Sequence, residues 1–162
     1  MKSFPEASGV RADGMCVAIV AARFNDDVVS PLIDGARATL LEAGANDEDI
    51  VTLRVPGAFE LPLAAKWLAQ SGIYDGIVAL GAVIRGETPH FDYVCNEAAR
   101  GLNDVAMDHG LPVGFGVITA DDADQAMARA GGAVGNKGEE ATLAVIEMIA
   151  LARTHRRGTL AS

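Results

Sequence analysis

Four short apolar runs, spaced by longer stretches with helical periodicity, limit what this chain can fold into more than any other feature. They lie at 16–22 (CVAIVAA), 50–55 (IVTLRV), 76–84 (GIVALGAVI) and 112–119 (PVGFGVIT). Each run is continuous rather than alternating, the pattern of strands buried on both faces. Helices are predicted between and after them, at about 27–43, 59–71, 89–109, 121–130 and 138–154. On the first, Val28, Leu32, Ile33, Ala36, Leu40 and Leu41 recur at helical spacing before Gly44. The second presents Leu61, Ala64, Ala65 and Leu68, and the third stops at Gly110, a residue type suited to ending helices. Strand–helix repetition of this kind implies an α/β chain: a three-layer α/β/α sandwich around a four-stranded parallel sheet with right-handed crossovers.

With 162 residues, half of them apolar, the chain has the size of one domain with a substantial core. That domain is expected over 15–157, with a polar segment at 1–14 and a short C-terminal tail at 158–162. The leading segment reads either as a frayed end or as an arm adding a strand to a neighbouring subunit. A formal charge of −9 argues against nucleic acid or an anionic membrane as partner, because both require a basic face. The basic cluster at 153–157 closes the last helix, where cations oppose the negative end of the dipole. Residues 1–14 hold no apolar leader pattern, and no run approaches the roughly 18 residues of a membrane span, so a soluble, cytoplasmic protein is expected. Cys16 and Cys95 lack CxxC or zinc-type spacing and read as small apolar core residues.

The chemistry concentrates where strand 76–84 breaks into Arg85-Gly86-Glu87-Thr88-Pro89-His90. Thr88 suits a helix N-cap and Pro89 the first helical position. The N–H groups of Gly86, Glu87 and Thr88 would then face outward with the positive end of the helix dipole, a site for an anion such as phosphate. His90 falls in the first turn, where the same dipole disfavours imidazolium and leaves a neutral ring able to move protons. In open parallel sheets ligands bind beyond the carboxyl ends of the strands, so the loops there form one surface. They carry Phe24, Phe59, Glu60 and the acidic pair Asp121-Asp122. Each phenylalanine reads alone as a plug over the sheet end. With His90, Glu60 and a phosphate loop, the two describe a pocket that stacks a flat ring beside an anion.

ARFN at 22–25, VPGAFELP at 55–62, GAVIRGETPHFDYVCNEAARG at 81–101, FGVIT at 115–119 and GNKGEEA at 135–141 occur in one order. In these motifs, across about residues 15 to 154, the chain resembles the lumazine synthase family, whose fold is flavodoxin-like. The resemblance implies condensation of 5-amino-6-(D-ribitylamino)uracil with 3,4-dihydroxy-2-butanone 4-phosphate, the penultimate step of riboflavin synthesis, without metal or organic cofactor. It implies that Phe24 stacks on the pyrimidine and that Phe115, near the end of the fourth strand, closes the ring slot. Ala58 and Phe59 would offer backbone groups, Glu60 would bind the ribityl chain, and Ala82, Val83 and Ile84 would read the uracil edge. Phosphate would meet the backbone of Gly86 and Glu87, the hydroxyl of Thr88, and Arg129 on the short fourth helix of a neighbouring subunit, with Lys137 adding charge. Read alone, Arg129 is a solvated helix residue and Lys137 a solvated turn lysine. His90 would shuttle protons, while Asp92, Glu97 and Glu140 either orient it or pair with cations. The resemblance also implies a homopentamer, as such or built into a decamer or 60-subunit shell, active sites between subunits, and association with riboflavin synthase. The rival is a non-catalytic flavin or lumazine carrier, or a shell protein, of the same fold. A phosphorylated receiver is disfavoured because Ala82-Val83-Ile84-Arg85 stands where its aspartate belongs, and Gly135-Asn136-Lys137-Gly138 resembles only part of a nucleotide-binding loop.

Overall fold

The computed structural model describes residues 9–160, with side chains described through His155. Residues 1–8 of the expected arm and 161–162 of the expected tail lie outside the described residues. Strands β1 (Val17–Ala22), β2 (Ile50–Val55), β3 (Gly76–Ile84) and β4 (Val113–Ala120) form one parallel sheet in the order β2-β1-β3-β4. All six residues of β1 are buried, as a central strand covered on both faces requires.

Successive side chains leave the strands on opposite faces, and two cores result. Ile19, Val78, Leu80 and Ile118 pack with α1 (Asp26–Glu42) and α5 (Lys137–Leu160). Val20, Ile77, Ala79 and Val117 pack with α2 (Leu61–Gln70) and α3 (His90–His109). Full burial of one such aliphatic side chain contributes roughly 1.5–3 kcal/mol, so these continuous runs supply much of the driving force. The fold is the expected three-layer, flavodoxin-like α/β sandwich.

Local chemistry sets the ends. Asp26 and Asp27 occupy the first turn of α1, facing its positive dipole end. Gly110 closes α3 in the left-handed region at φ 58°. Of the expected apolar face of α1, Ile33 is half-buried against the core and Leu41 exposed. Segment 59–71 opens as a 3-10 turn over Ala58–Glu60 before α2 begins.

The region after β4 departs most from expectation. Helix α4 (Ala123–Ala128) is shorter than predicted and is capped by Asp122, whose side chain accepts the Gln125 N–H at 2.8 Å. A small antiparallel hairpin follows, β5 (Ala130–Gly132) with β6 (Gly135–Asn136), which its glycine-rich sequence does not announce. Asn136 then caps α5, its Oδ1 accepting the N–H groups of Gly138 and Glu139. Residues 9–14 dock on their own domain, with Ala12 buried and its N–H donated to the Ala43 carbonyl at 2.8 Å. Cys16 lies just before β1 and Cys95 within α3, both half-buried rather than in the core. Burial is the main cause that raises both thiol pKa values, so neither forms a ready thiolate. No described helix is long and apolar enough to cross a membrane.

Candidate functional site

Strand β1 stops at Ala22 while β3 continues to Ile84, and the loops beyond them enclose a cleft of about 800 Å³. That volume lies within the ordinary range of small-molecule sites. Asn25 joins the two strand ends. Among the described residues it is the one non-glycine with positive φ, at 59°, a conformation asparagine tolerates better than most. Its carbonyl accepts the N–H groups of Val28 and Val29 at the start of α1, and its Nδ2 donates to the Ala82 carbonyl at 2.9 Å. Phe24 donates its N–H to the Pro56 carbonyl at 3.1 Å, which fixes the first loop against the second. Phe24 and Phe59 are 71% and 63% exposed and line the cleft, so neither is a plug. Ala58, Glu60, Ala82, Val83 and Ile84 line it as well.

Helix α3 begins at His90, one residue later than predicted, with Pro89 in the cap position at φ −66°. Thr88 keeps part of the expected capping role, since its Oγ1 accepts the His90 N–H at a long 3.4 Å. Gly86, Thr88 and His90 line the cleft, and His90 is exposed to it rather than turned into the core. No described residue accepts a hydrogen bond from the N–H of Gly86, Glu87 or Thr88. A Cβ added to Gly86 would meet nothing within 4 Å, and its backbone is not left-handed, so neither packing nor φ requires glycine there. Open space beside unpaired N–H groups suits the close approach of an anion. Glu87 is exposed and does not line the cleft, leaving its backbone as the part nearest the site.

The three carboxylates considered for orienting His90 serve cations instead. Asp92 lies 3.7 Å from Arg85, Glu97 2.7 Å from Arg100 and Glu140 2.7 Å from Lys137. Glu97 also lines the cleft. With Phe91, Tyr93 and Val94 it forms a helical wall that sequence reasoning overlooked, although Val94 and Glu97 follow His90 at helical spacing. Asn25 was overlooked too; its unusual φ is invisible in a sequence.

Besides Glu87, three expected site residues lie outside their own chain's cleft. Phe115 is not near the end of β4: it is the third residue of the strand, in register with Ala79, and 47% exposed. Arg129 does not lie on α4 but directly after it, its guanidinium donating to the Gln125 carbonyl at 2.9 Å. Lys137 opens α5 and donates its N–H to the Arg129 carbonyl at 2.9 Å, so the two basic residues are held together, away from the cleft. Among the lining residues His90 is therefore the one basic side chain, against the carboxylates Glu60 and Glu97. One chain alone gives the cleft its aromatic walls and unpaired backbone N–H groups but places no arginine or lysine on its lining.

Residues 14–153 match the family model for 6,7-dimethyl-8-ribityllumazine synthase. The chain belongs to the lumazine synthase family. It is similar to the 6,7-dimethyl-8-ribityllumazine synthase of Nitratidesulfovibrio vulgaris, with 55% identity over 138 residues, 85% of this chain and 88% of that protein. The protein of the same name in Desulfovibrio desulfuricans is 52% identical over 143 residues, 88% of this chain and 92% of the relative. Membership of the lumazine synthase family makes this chain an enzyme, a transferase of riboflavin biosynthesis, and the non-catalytic carrier reading is not favoured.

Proposed function

We propose that this cleft condenses 5-amino-6-(D-ribitylamino)uracil with 3,4-dihydroxy-2-butanone 4-phosphate to give 6,7-dimethyl-8-ribityllumazine, phosphate and water. One observation carries the assignment: Phe24, His90 and the unpaired N–H groups around Gly86 open onto a single cavity. Phe24 stacks on the pyrimidine face, while Val83 and Ile84 at the end of β3 meet its edge. Glu60 accepts from ribityl hydroxyls, with the Ala58 and Phe59 backbone beside it. The phosphate rests on the Gly86–Thr88 backbone and the Thr88 hydroxyl.

The pyrimidine amine attacks the ketone carbon, and the carbinolamine loses water to give an imine. Removal of the proton beside the imine lets phosphate leave and produces an enol, which takes a proton on its terminal carbon to become a methyl ketone. The ribitylamino nitrogen attacks that ketone and closes the ring with loss of a second water. Each step moves a proton, which His90 can take or return from the cleft rim. The sequence is acid–base chemistry throughout and needs no metal or organic cofactor. Because amine and ketone condense without a catalyst, holding the two reactants together supplies much of the acceleration.

The missing cation comes from a second subunit, which brings Arg129, Lys137 and Phe115 to the cleft. Arginine suits the task because its planar fork matches phosphate oxygens. A homopentamer is the assembly we propose, as such or within a decamer or 60-subunit shell, working in the cytoplasm and able to associate with riboflavin synthase. Incubating the purified protein with both substrates, while following lumazine absorbance and released phosphate, tests the assignment. Equal appearance of the two is expected; an assembled protein that yields neither would refute it.

A further inference from the structure

Arg85 is the cation within the Gly86–Thr88 loop region, and a phosphate ligand is the obvious role for it. Its contacts point elsewhere. Ile84 and Gly86 line the cleft, yet Arg85 between them does not. Its Nε donates to Asp121 Oδ1 at 3.0 Å, and a terminal nitrogen lies 3.7 Å from Asp92 Oδ1. Its guanidinium carbon stands 4.4 Å from the centroid of the Phe91 ring, within cation–π range. Its own N–H continues the β3–β4 pairing by donating to the Ala120 carbonyl at 2.9 Å.

Phe91 and Asp92 directly follow His90 in the first turn of α3, and Phe91 also lines the cleft. Asp121 precedes the cap of α4 at the end of β4. The guanidinium thus ties the turn bearing His90 to the paired ends of β3 and β4. We propose that Arg85 is a positioning residue: it sets the His90 turn against the phosphate loop and does not itself bind the substrate's phosphate. The inference deepens the catalytic reading of the cleft and rests on it. Exposed ion pairs contribute little to stability, so the loss of this clamp should register in geometry and turnover rather than in folding.

Arg85→Met keeps a long apolar chain over Phe91 but removes the charge and the fork; Arg85→Lys keeps the charge. In the assembled protein, Arg85→Met should lower kcat about tenfold through misplacement of His90, with KM for the phosphorylated ketone changed less than about threefold. Arg85→Lys should recover part of kcat, and the thermal midpoint of both should stay within about 2 °C of the parent. A crystal structure of Arg85→Met should show the His90 turn displaced from Ile84. A tenfold rise in KM at unchanged kcat would make Arg85 a phosphate ligand and overturn the proposal, as would unchanged kinetics with an unmoved turn. Should Arg85→Met fail to assemble, Asp121→Asn decides: reduced kcat at constant KM supports the clamp, and parental kinetics refute it. A parent protein inactive on both substrates would overturn the assigned reaction instead, leaving the crystal structure to judge the clamp.

Discussion

His90 stands exposed on the cleft rim, and none of Asp92, Glu97 and Glu140 is hydrogen-bonded to it. A histidine without a carboxylate partner acts as an adjustable acid or base rather than as the centre of a relay. His90→Ala is therefore expected to slow turnover by about 10²-fold, the low end of the usual general acid–base contribution, without abolishing it. Steady-state kinetics on the assembled variant measure this; complete loss of activity would mean that the imidazole does more than move protons. Gly86 carries the opposite lesson at the same scale. Nothing in the fold requires a glycine there, so Gly86→Ala should leave the thermal midpoint unchanged and, if an anion approaches this backbone as proposed, raise KM for the phosphorylated substrate.

Helix termini are where single residues govern whole elements. Asp122 caps the short helix α4, and its loss leaves the Gln125 N–H without its acceptor. Asp122→Ala should cost about 1 kcal/mol, visible as a lower thermal midpoint. Asp26 opens α1 and pairs with Arg54 of β2, and the hydrogen bond from Arg54 holds the Asp26 carboxyl below its ordinary value of 3.8. A carboxyl with a depressed folded pKa stabilises the fold above its unfolded pKa, and the effect is lost as pH falls through the folded value. The melting difference between the parent and Asp26→Asn should therefore be present at neutral pH, shrink below about pH 3.8, and be weakened by salt. A difference independent of pH would show that the pair does not contribute.

At the scale of the molecule, the arrangement to explain is a cleft with exposed phenylalanines and unpaired N–H groups on one side of the chain and Arg129 with Lys137 tied together elsewhere. If neighbouring subunits complete each other's sites, His90→Ala and Arg129→Ala damage opposite halves of one site. Subunits of the two variants, unfolded together and reassembled, should then form some sites with both native residues and exceed the averaged activity of the separate variants. Merely additive activity would place each site within one chain. Light scattering on the same samples should give a mass that is a multiple of five of the 16.8 kDa chain. The strands, the order of helices and the break after β3 that opens α3 at His90 were legible in the sequence because they rest on periodicity and capping, which act over a few neighbouring residues. The hairpin after α4 was not legible, since its glycines carry no strand signal. Nor were the αL turn of Asn25, the clamp of Arg85 on Phe91 and the distance of Phe115 from the cleft. Those were decided by strand register, which pairs Ile84 with Ala120 and leaves Phe115 opposite Ala79, and by contacts between segments that meet only after the sheet has formed.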